Sequence, residues 1–408
     1  MAFLASSSRS TQRPTVETDL FSLSSAAIRS PEPDAEPVRI AGKTLSPSAV
    51  FDTYWRFAAA RQAIYVARLR RSSLPWTDDP VLRAHRFTNV YRASDRVSQF
   101  LIGEVQRGPT ASSDPVDVVF RTLLFKIFNR EDTWQHLESR VGPVTWRTYD
   151  YHRYRAALDE AALDGPIYSA AYVMPPPRLG EDRKHANHLR LLEQMMRNGL
   201  AGQVRSAPSL RAVYETLLAY PGLGPFLAFQ YAIDLNYSDL VPFSENDFVV
   251  AGPGAKDGIR KCFGKDSVGI ETEVIRYMTD TQDEHFARLG LEFPGLFGRP
   301  LHLIDAQNLF CEVDKYARVR HPEIAGISGR SRIKQKYKPG PPLATPVFPR
   351  RWGIEASGPS GSTAGALQRC VGEGCLVEIH DHSPAVVRSQ TSPHLVARQD
   401  RPLPFGTG

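Results

Sequence analysis

Tyr220-Pro221-Gly222-Leu223-Gly224-Pro225 is the stretch that decides the fold, because it separates two segments with helical patterns. Upstream, Ser209 is suited to cap a helix whose apolar residues recur every three or four positions: Leu210, Val213, Tyr214, Leu217 and Leu218. Downstream, Pro225 suits the first position of a second helix. Gly222 and Gly224 permit positive φ angles and close backbone approach. The stretch predicts a helix-hairpin-helix whose amides face an anion such as a DNA phosphate, with a plain helical corner as the alternative.

A polar turn follows the hairpin after about twenty residues, Ser244-Glu245-Asn246-Asp247-Phe248. A hairpin followed at this distance by an aspartate resembles the DNA glycosylase superfamily, which implies a catalytic role for Asp247. Lyase-type members carry a lysine just after the hairpin, where this sequence has Phe226. Schiff-base chemistry at that position is therefore excluded.

Composition divides the 408 residues into three parts. Residues 1–43 and 326–408 are rich in Pro, Ser and charged residues without apolar periodicity, so we expect disordered tails. Residues 44–325 are expected to form one domain, mostly α-helical and glycosylase-like. The net charge of +6 favours polyanionic partners without proving one.

The cysteine pattern and the hydropathy limit the classes of protein. The four cysteines show no CxxC pair and no Cys/His zinc spacing, so no metal site is predicted and a reducing compartment is favoured: Cys262, Cys311, Cys370 and Cys375. No apolar run approaches the roughly 20 residues of a membrane span. We expect an intracellular protein, nuclear if the source is eukaryotic. Arg9 and Arg13 among serines suggest a transit peptide as a weaker alternative.

Two further segments carry groups that suit nucleic acid. Asp79 to about Gln106 is predicted as one helix, with Asn89, Arg92 and Arg96 on one face. That face suits a phosphate or a base, and a solvent-exposed face with an Asp95–Arg92 pair explains it almost as well.

A second glycine-bearing turn, Gly252-Pro253-Gly254, precedes Lys256, Arg260 and Lys261 and suits a second phosphate contact. The pattern GxxxxGK[ST] is absent, so an ATP-binding P-loop is not supported. The alternating basic residues from Arg330 to Lys338 read as a solvated tail, or as a nuclear-targeting or phosphate-binding arm.

The last predicted helix of the domain is Leu303 to Tyr316. Asp305, Asn308, Glu312 and Lys315 share one of its faces. This polar row is explained either by solvation or by a pocket that its carboxylates complete together with Asp247.

Four motif segments together resemble one family: residues 87–92, 220–224, 245–254 and 304–316. The family is the helical domain of 5-hydroxymethyluracil DNA kinases and of the related α-glutamyl/putrescinyl thymine pyrophosphorylases. The resemblance implies a glycosylase-like helical domain that takes part in thymine hypermodification in DNA. Kinase members pair this domain with a P-loop domain, so we do not expect kinase activity from these residues alone.

With this resemblance we assign site residues. The candidate catalytic carboxylates are Asp247, Glu245, Glu312 and Asp305, and the candidate base pocket consists of Asn246, Gln307 and Asn308. The candidate DNA contacts are Gly222, Gly224, Asn89, Arg92, Arg96, Lys256, Arg260 and Lys261. No cofactor is evident, and a divalent metal or an amine or amino-acid co-substrate stays open. DNA is the expected partner, and a separate kinase is a further one.

Three functions compete. The first is a transferase that modifies thymine-derived bases by displacing pyrophosphate with an amine. The second is a monofunctional glycosylase that uses Asp247 and leaves abasic sites. The third is a DNA-binding module without catalysis, which predicts steep salt dependence and no covalent product.

Overall fold

The computed structural model describes residues 35–171 and 174–354 and is mostly helical. Two short strands, β1 (Val38–Ile40) and β2 (Lys43–Leu45), form an antiparallel hairpin near the start. The helices, in chain order, are α1 (Ala49–Leu69), α2 (Pro80–Ala84), α3 (Arg96–Phe100), α4 (Pro115–Phe128), α5 (Glu131–Val141), α6 (Tyr151–Asp164), α7 (Lys184–Arg197), α8 (Leu200–Ser206), α9 (Leu210–Leu218), α10 (Pro225–Asn236), α11 (Pro253–Phe263), α12 (Glu271–Asp280), α13 (Gln282–Arg288) and α14 (Leu303–Arg320). The predicted mostly α fold is confirmed.

Helix α14 occupies the centre of the domain and is buried on most of its circumference. Helix α11 packs against it at backbone distance, because two of its residues are glycines. A Cβ atom at Gly258 would lie 2.2 Å from the carbonyl oxygen of Phe310, and one at Gly254 would lie 3.1 Å from the sulfur of Cys311. Gly258 is therefore required for this close packing, and Gly254 is in tight contact with the Cys311 side chain.

The predicted pair of helices around the glycine stretch forms α9 and α10. The Ser209 side chain accepts a hydrogen bond from the Ala212 amide (3.1 Å) and caps α9, while Pro225 begins α10. Between them Gly222 has φ +83°, which favours glycine. Gly224 has φ −72° and serves as the N-cap of α10, so positive φ is required at one glycine of the two.

Residues 79–106 do not form the single helix that the sequence predicts. Helix α2 ends at Ala84, residues 85–91 are largely irregular, and a short 3₁₀ turn (Arg92–Ser94) precedes α3. A π-helical turn (Leu101–Val105) follows α3. Asn89, Arg92 and Arg96 therefore do not share a helix face. The expected Asp95–Arg92 pair is replaced by a hydrogen bond from the Asn89 amide to Asp95 (2.7 Å).

Residues 327–354 continue along the domain beyond the predicted boundary at residue 325. The segment has little regular structure, yet Ile333 and Phe348 are buried in the core. Gln99 fixes residue 347 with two hydrogen bonds, donating to the Val347 carbonyl (3.0 Å) and accepting from its amide (2.8 Å). We call residues 343–354 the C-terminal arm. At the other end, β1 lies within the predicted N-terminal tail (residues 1–43). It pairs with β2, which begins at the last residue of that tail.

Parts of several predictions lie outside the described residues. These are residues 1–34 and 355–408 of the two expected tails, with Arg9, Arg13, Cys370 and Cys375 among them. Among the described residues, no helix is long and apolar enough to cross a membrane.

Candidate functional site

The turn at residues 244–248 lies between the start of α14 and helices α9 and α10, which flank the glycine stretch (residues 220–225). Phe248 is buried, with its ring 5.0 Å from the ring of Tyr214 on α9 and 5.7 Å from that of Phe229 on α10. Asn246 accepts a hydrogen bond from the Leu303 amide (3.2 Å) at the first residue of α14. Between these two anchors the Asp247 side chain is exposed to solvent.

Two exposed arginines flank this turn, and neither was singled out from the sequence. Arg276 of α12 donates to the backbone carbonyl oxygens of Asn246 (3.1 Å) and Asp247 (3.5 Å). The guanidinium carbon of Arg211 on α9 lies 4.4 Å from the centre of the Phe248 ring. Asp247 is thus an accessible carboxylate with two cationic groups beside its turn. No sequence spacing indicates this, because the three residues come from separate elements.

Glu245, two residues earlier in the turn, points into the domain. Its carboxylate is buried and forms ion pairs with Arg299 and, at 3.4 Å, with Arg351 of the C-terminal arm. Burial raises the pKa of Glu245 although both arginines favour its ionised form. The turn therefore presents one carboxylate to solvent and another to a buried ion cluster.

Asp305 lies in the first turn of α14 and is also buried. It accepts hydrogen bonds from the amides of Arg92 (3.1 Å) and His302 (3.2 Å). Burial, with a further contribution from the nearby Glu245, raises the pKa of Asp305 to about 7. Such a pKa lies in the range where a carboxyl group exchanges protons near neutrality.

The polar row of α14 holds the 87–92 motif segment. Glu312 accepts from the Thr88 amide (2.9 Å), and Asn308 donates to the Asn89 carbonyl (3.1 Å). Asp305 supplies the third contact through the Arg92 amide. Asp305, Asn308 and Glu312 thus bind the backbone of this segment instead of lining an open pocket with Asp247, and Lys315 pairs with Glu312 (2.8 Å).

The predicted DNA contacts divide between the surface and the interior. Arg92 is buried in an ion pair with Asp234 (2.6 Å), and Lys261 in one with Asp314 (3.0 Å), so both neutralise buried carboxylates instead of facing a phosphate. The Asn89 amide group is also buried and donates to the Ser94 carbonyl (2.7 Å).

The remaining cationic candidates reach the surface. Arg96 is exposed and pairs with Glu131 (2.5 Å). Lys256 is exposed and Arg260 half-buried on α11. Sequence spacing alone does not distinguish these surface cations from the buried Arg92 and Lys261, because a buried cation needs a carboxylate partner that can lie anywhere in the sequence.

The glycine stretch (residues 220–225) and the phenylalanine that follows it make two contacts with other segments. The Phe226 ring packs against Gly252, where a Cβ atom would come within 2.6 Å of the ring. Gly222 faces the Pro175 carbonyl, 3.3 Å from where its Cβ would stand, while Gly224 has open space beside it. The residue after the glycine stretch therefore contacts the start of α11, and the stretch itself contacts the segment around Pro175.

The three amides predicted to line a base pocket make contacts inside the domain. Asn246 binds the Leu303 amide, as described above, and Gln307 is buried with a contact to the Cys311 sulfur (3.2 Å). Asn308 binds the 87–92 segment. Within residues 35–171 and 174–354, no group of three or more His, Cys, Asp or Glu side chains is arranged to hold a metal ion.

Fold and site together define a helical domain that exposes one carboxylate, Asp247, with two exposed arginines beside its turn. Comparison with known families then identifies it: the family described as "5-hmdU DNA kinase, helical domain" matches residues 48–326. Because this match covers more than half of the 408 residues, the chain belongs to that family.

A curated relative is the 5-hmdU DNA kinase of Bacillus phage SP10, which is 27% identical over 298 residues. The matched region covers 68% of this chain and 46% of the relative, so the chain spans about half the length of that relative. No solved structure matches the chain.

Proposed function

We propose that this protein binds DNA and acts in thymine hypermodification, on bases derived from 5-hydroxymethyluracil. The observation that carries the proposal is the convergence of the family's motif segments. Residues 87–92 and the turn at residues 244–248 both bind α14, and Phe248 of the turn packs on α9 and α10, the helices on either side of the glycine stretch. The family match and the relative's description as a 5-hmdU DNA kinase supply the substrate class.

The reaction that suits these groups is displacement of pyrophosphate from a pyrophosphorylated 5-hydroxymethyl group. The nitrogen of an amine or amino acid attacks the methylene carbon, the carbon–oxygen bond breaks, and pyrophosphate leaves with the electron pair. Asp247 takes the proton that the amine loses, as a general base. Arg211 and Arg276 offset the negative charge of the leaving group.

Asp247 is the best placed of the four candidate carboxylates for this role. Glu245, Asp305 and Glu312 are buried and bonded within the domain. Asp247 is exposed, and its side chain makes no hydrogen bond to the described residues. A base in duplex DNA hides its 5-substituent in the groove, so the reaction uses a flipped or unpaired base.

Two other functions have an observation in their favour. The exposed Asp247, about twenty residues after the glycine stretch, suits a monofunctional glycosylase, which releases a free base. The internal bonding of Glu245, Asp305 and Glu312 suits a module that binds DNA without catalysis. Both share the DNA-binding surface of the first proposal and differ from it in the product.

Mass spectrometry of nucleosides distinguishes the three functions. The full chain is incubated with DNA carrying thymine, 5-hydroxymethyluracil or its pyrophosphorylated form, in duplex and single-stranded substrates, with amines and amino acids supplied. We expect a heavier nucleoside and released pyrophosphate from the pyrophosphorylated substrate. Free base with abasic sites would establish a glycosylase, and bound but unchanged DNA would establish a binding module.

A further inference from the structure

The basic stretch from Arg330 to Lys338 is fixed on the domain as extended backbone. Its Gln335 carbonyl accepts from the Arg86 amide (3.1 Å), and its Tyr337 amide donates to the Ala84 carbonyl (3.0 Å). These bonds form an antiparallel bridge between His85 and Lys336. Ile333 is buried and anchors the stretch from its other side.

This anchoring sorts the side chains of the stretch into two sets. In extended backbone successive side chains point to opposite sides, so Ile333 and Tyr337 share the side that faces the domain, and the even-numbered positions from 334 to 338 share the opposite side. The outward side chains at alternate positions are all lysines and all exposed: Lys334, Lys336 and Lys338. Their spacing along the backbone is about 7 Å from one lysine to the next.

The paired segment adds two more exposed cations, Arg83 and Arg86. We call these five residues (Arg83, Arg86, Lys334, Lys336, Lys338) the basic edge. Within the part of the chain that the structure describes, none of them forms a salt bridge. Arg92 and Lys261, in contrast, are matched by buried carboxylates. Five unmatched like charges on two adjacent segments repel one another, and a polyanion relieves that repulsion.

We propose that the basic edge binds the phosphate backbone of DNA. This inference rests on the proposed function. It adds a surface apart from the glycine stretch (residues 220–225) and from the turn Gly252-Pro253-Gly254 at the start of α11. Arg86 directly precedes the motif segment 87–92, which the polar row of α14 holds in place. A DNA strand on the basic edge therefore passes beside that motif segment.

The salt dependence of DNA binding tests the proposal. Each phosphate contact contributes about 0.9 to the slope of log affinity against log salt on duplex DNA. The variant Lys334→Gln/Lys336→Gln/Lys338→Gln should lower the magnitude of this slope by about 2 to 3. Between about 50 and about 200 mM salt, the wild-type chain should then lose roughly 40-fold more affinity than the variant. Fluorescence anisotropy with a labelled duplex measures both slopes.

A matched control removes three exposed cations elsewhere, with Arg147→Gln/Arg205→Gln/Lys265→Gln. Its slope should stay closer to wild type, and equal thermal unfolding of the three proteins shows that folding is unchanged. If the lysine variant keeps the wild-type slope, or if the control loses as much, the basic edge is not a DNA contact while DNA binding itself stands. If the wild-type chain does not bind DNA at any salt concentration, the proposed function fails together with this inference.

Discussion

At the scale of single residues, Glu245 and Asp247 show how one turn serves two purposes. The same five-residue turn sends Glu245 to two arginines in the interior and leaves Asp247 in solvent. Sequence spacing identified the turn and both carboxylates. It could not decide which carboxylate faces inward, because that depends on Arg299 and Arg351, which lie far away in the chain.

Asp247 carries the first prediction. Under the proposed transfer, Asp247→Asn should lower the rate of base modification by about 10² to 10⁴-fold, since the general base is lost. Its exposure means that the fold should be unaffected. The control is Asp280→Asn, another exposed carboxylate, on α12. The rate is followed by nucleoside mass spectrometry, and an unimpaired Asp247→Asn protein would remove Asp247 from the chemistry.

Asp305 makes stability depend on pH. Its folded-state pKa of about 7 lies above the value of about 3.9 for an unfolded chain. From about pH 4 to about pH 7 the unfolded state ionises more readily, so the free energy of unfolding falls by up to about 4 kcal/mol and then levels off. Below pH 4 both states are protonated and the effect vanishes.

Asp305→Asn should remove this contribution, because an amide does not ionise. Urea denaturation at several pH values gives the difference in unfolding free energy between wild type and variant. We expect that difference to shift in favour of the variant from about pH 4 to about pH 7. Two curves that run parallel across this range would show that Asp305 does not titrate there.

At the scale of elements, the contact between α11 and α14 depends on Gly258. A methyl group there would collide with the Phe310 carbonyl and force the two helices apart. Gly258→Ala should therefore destabilise the protein by about 1–3 kcal/mol. Gly202 on α8 has nothing within 4 Å of its Cβ position, so Gly202→Ala should stabilise by about 0.4–1 kcal/mol. Chemical denaturation measures both, and a neutral Gly258→Ala would mean that the helices separate without cost.

The helices on either side of the glycine stretch were predictable because their signals are local. Ser209 and Pro225 mark helix starts by their own chemistry, and apolar residues recur at helical spacing in α9. Residues 79–106 were predicted as one helix for the same reason and do not form one. There the polar row of α14 binds the backbone of residues 88–92. A local sequence pattern does not indicate a hydrogen-bond partner more than 200 residues away.

At the scale of the whole molecule, the C-terminal arm ties residues beyond the family match to the centre of the domain. The match ends at residue 326, yet Phe348 is buried and Arg351 reaches Glu245. Composition placed the arm in a tail, since two aromatic rings among prolines and arginines give no periodicity. Its contacts with the core are made by residues far apart in the sequence, so no sequence pattern indicates them.

Phe348 tests the importance of the arm. Phe348→Ala should lower the free energy of unfolding by about 3 kcal/mol, because a buried ring is lost. The neighbouring Val347 is 38% exposed, so Val347→Ala should change stability by less than about 0.5 kcal/mol. Thermal and urea unfolding compare the two. Equal effects of the two substitutions would show that the arm contributes little to the core.

The hydrogen bonds between the 87–92 segment and α14 also bear on how the protein folds. Thr88 and Glu312 are 224 positions apart, and Arg92 and Asp305 are 213 apart. Contacts of such long range form slowly, because the intervening chain must be ordered before they close. During synthesis, residues 88–92 have been made long before their partners on α14 exist. The centre of the domain is therefore expected to assemble late, after nearly the entire helical domain has left the ribosome.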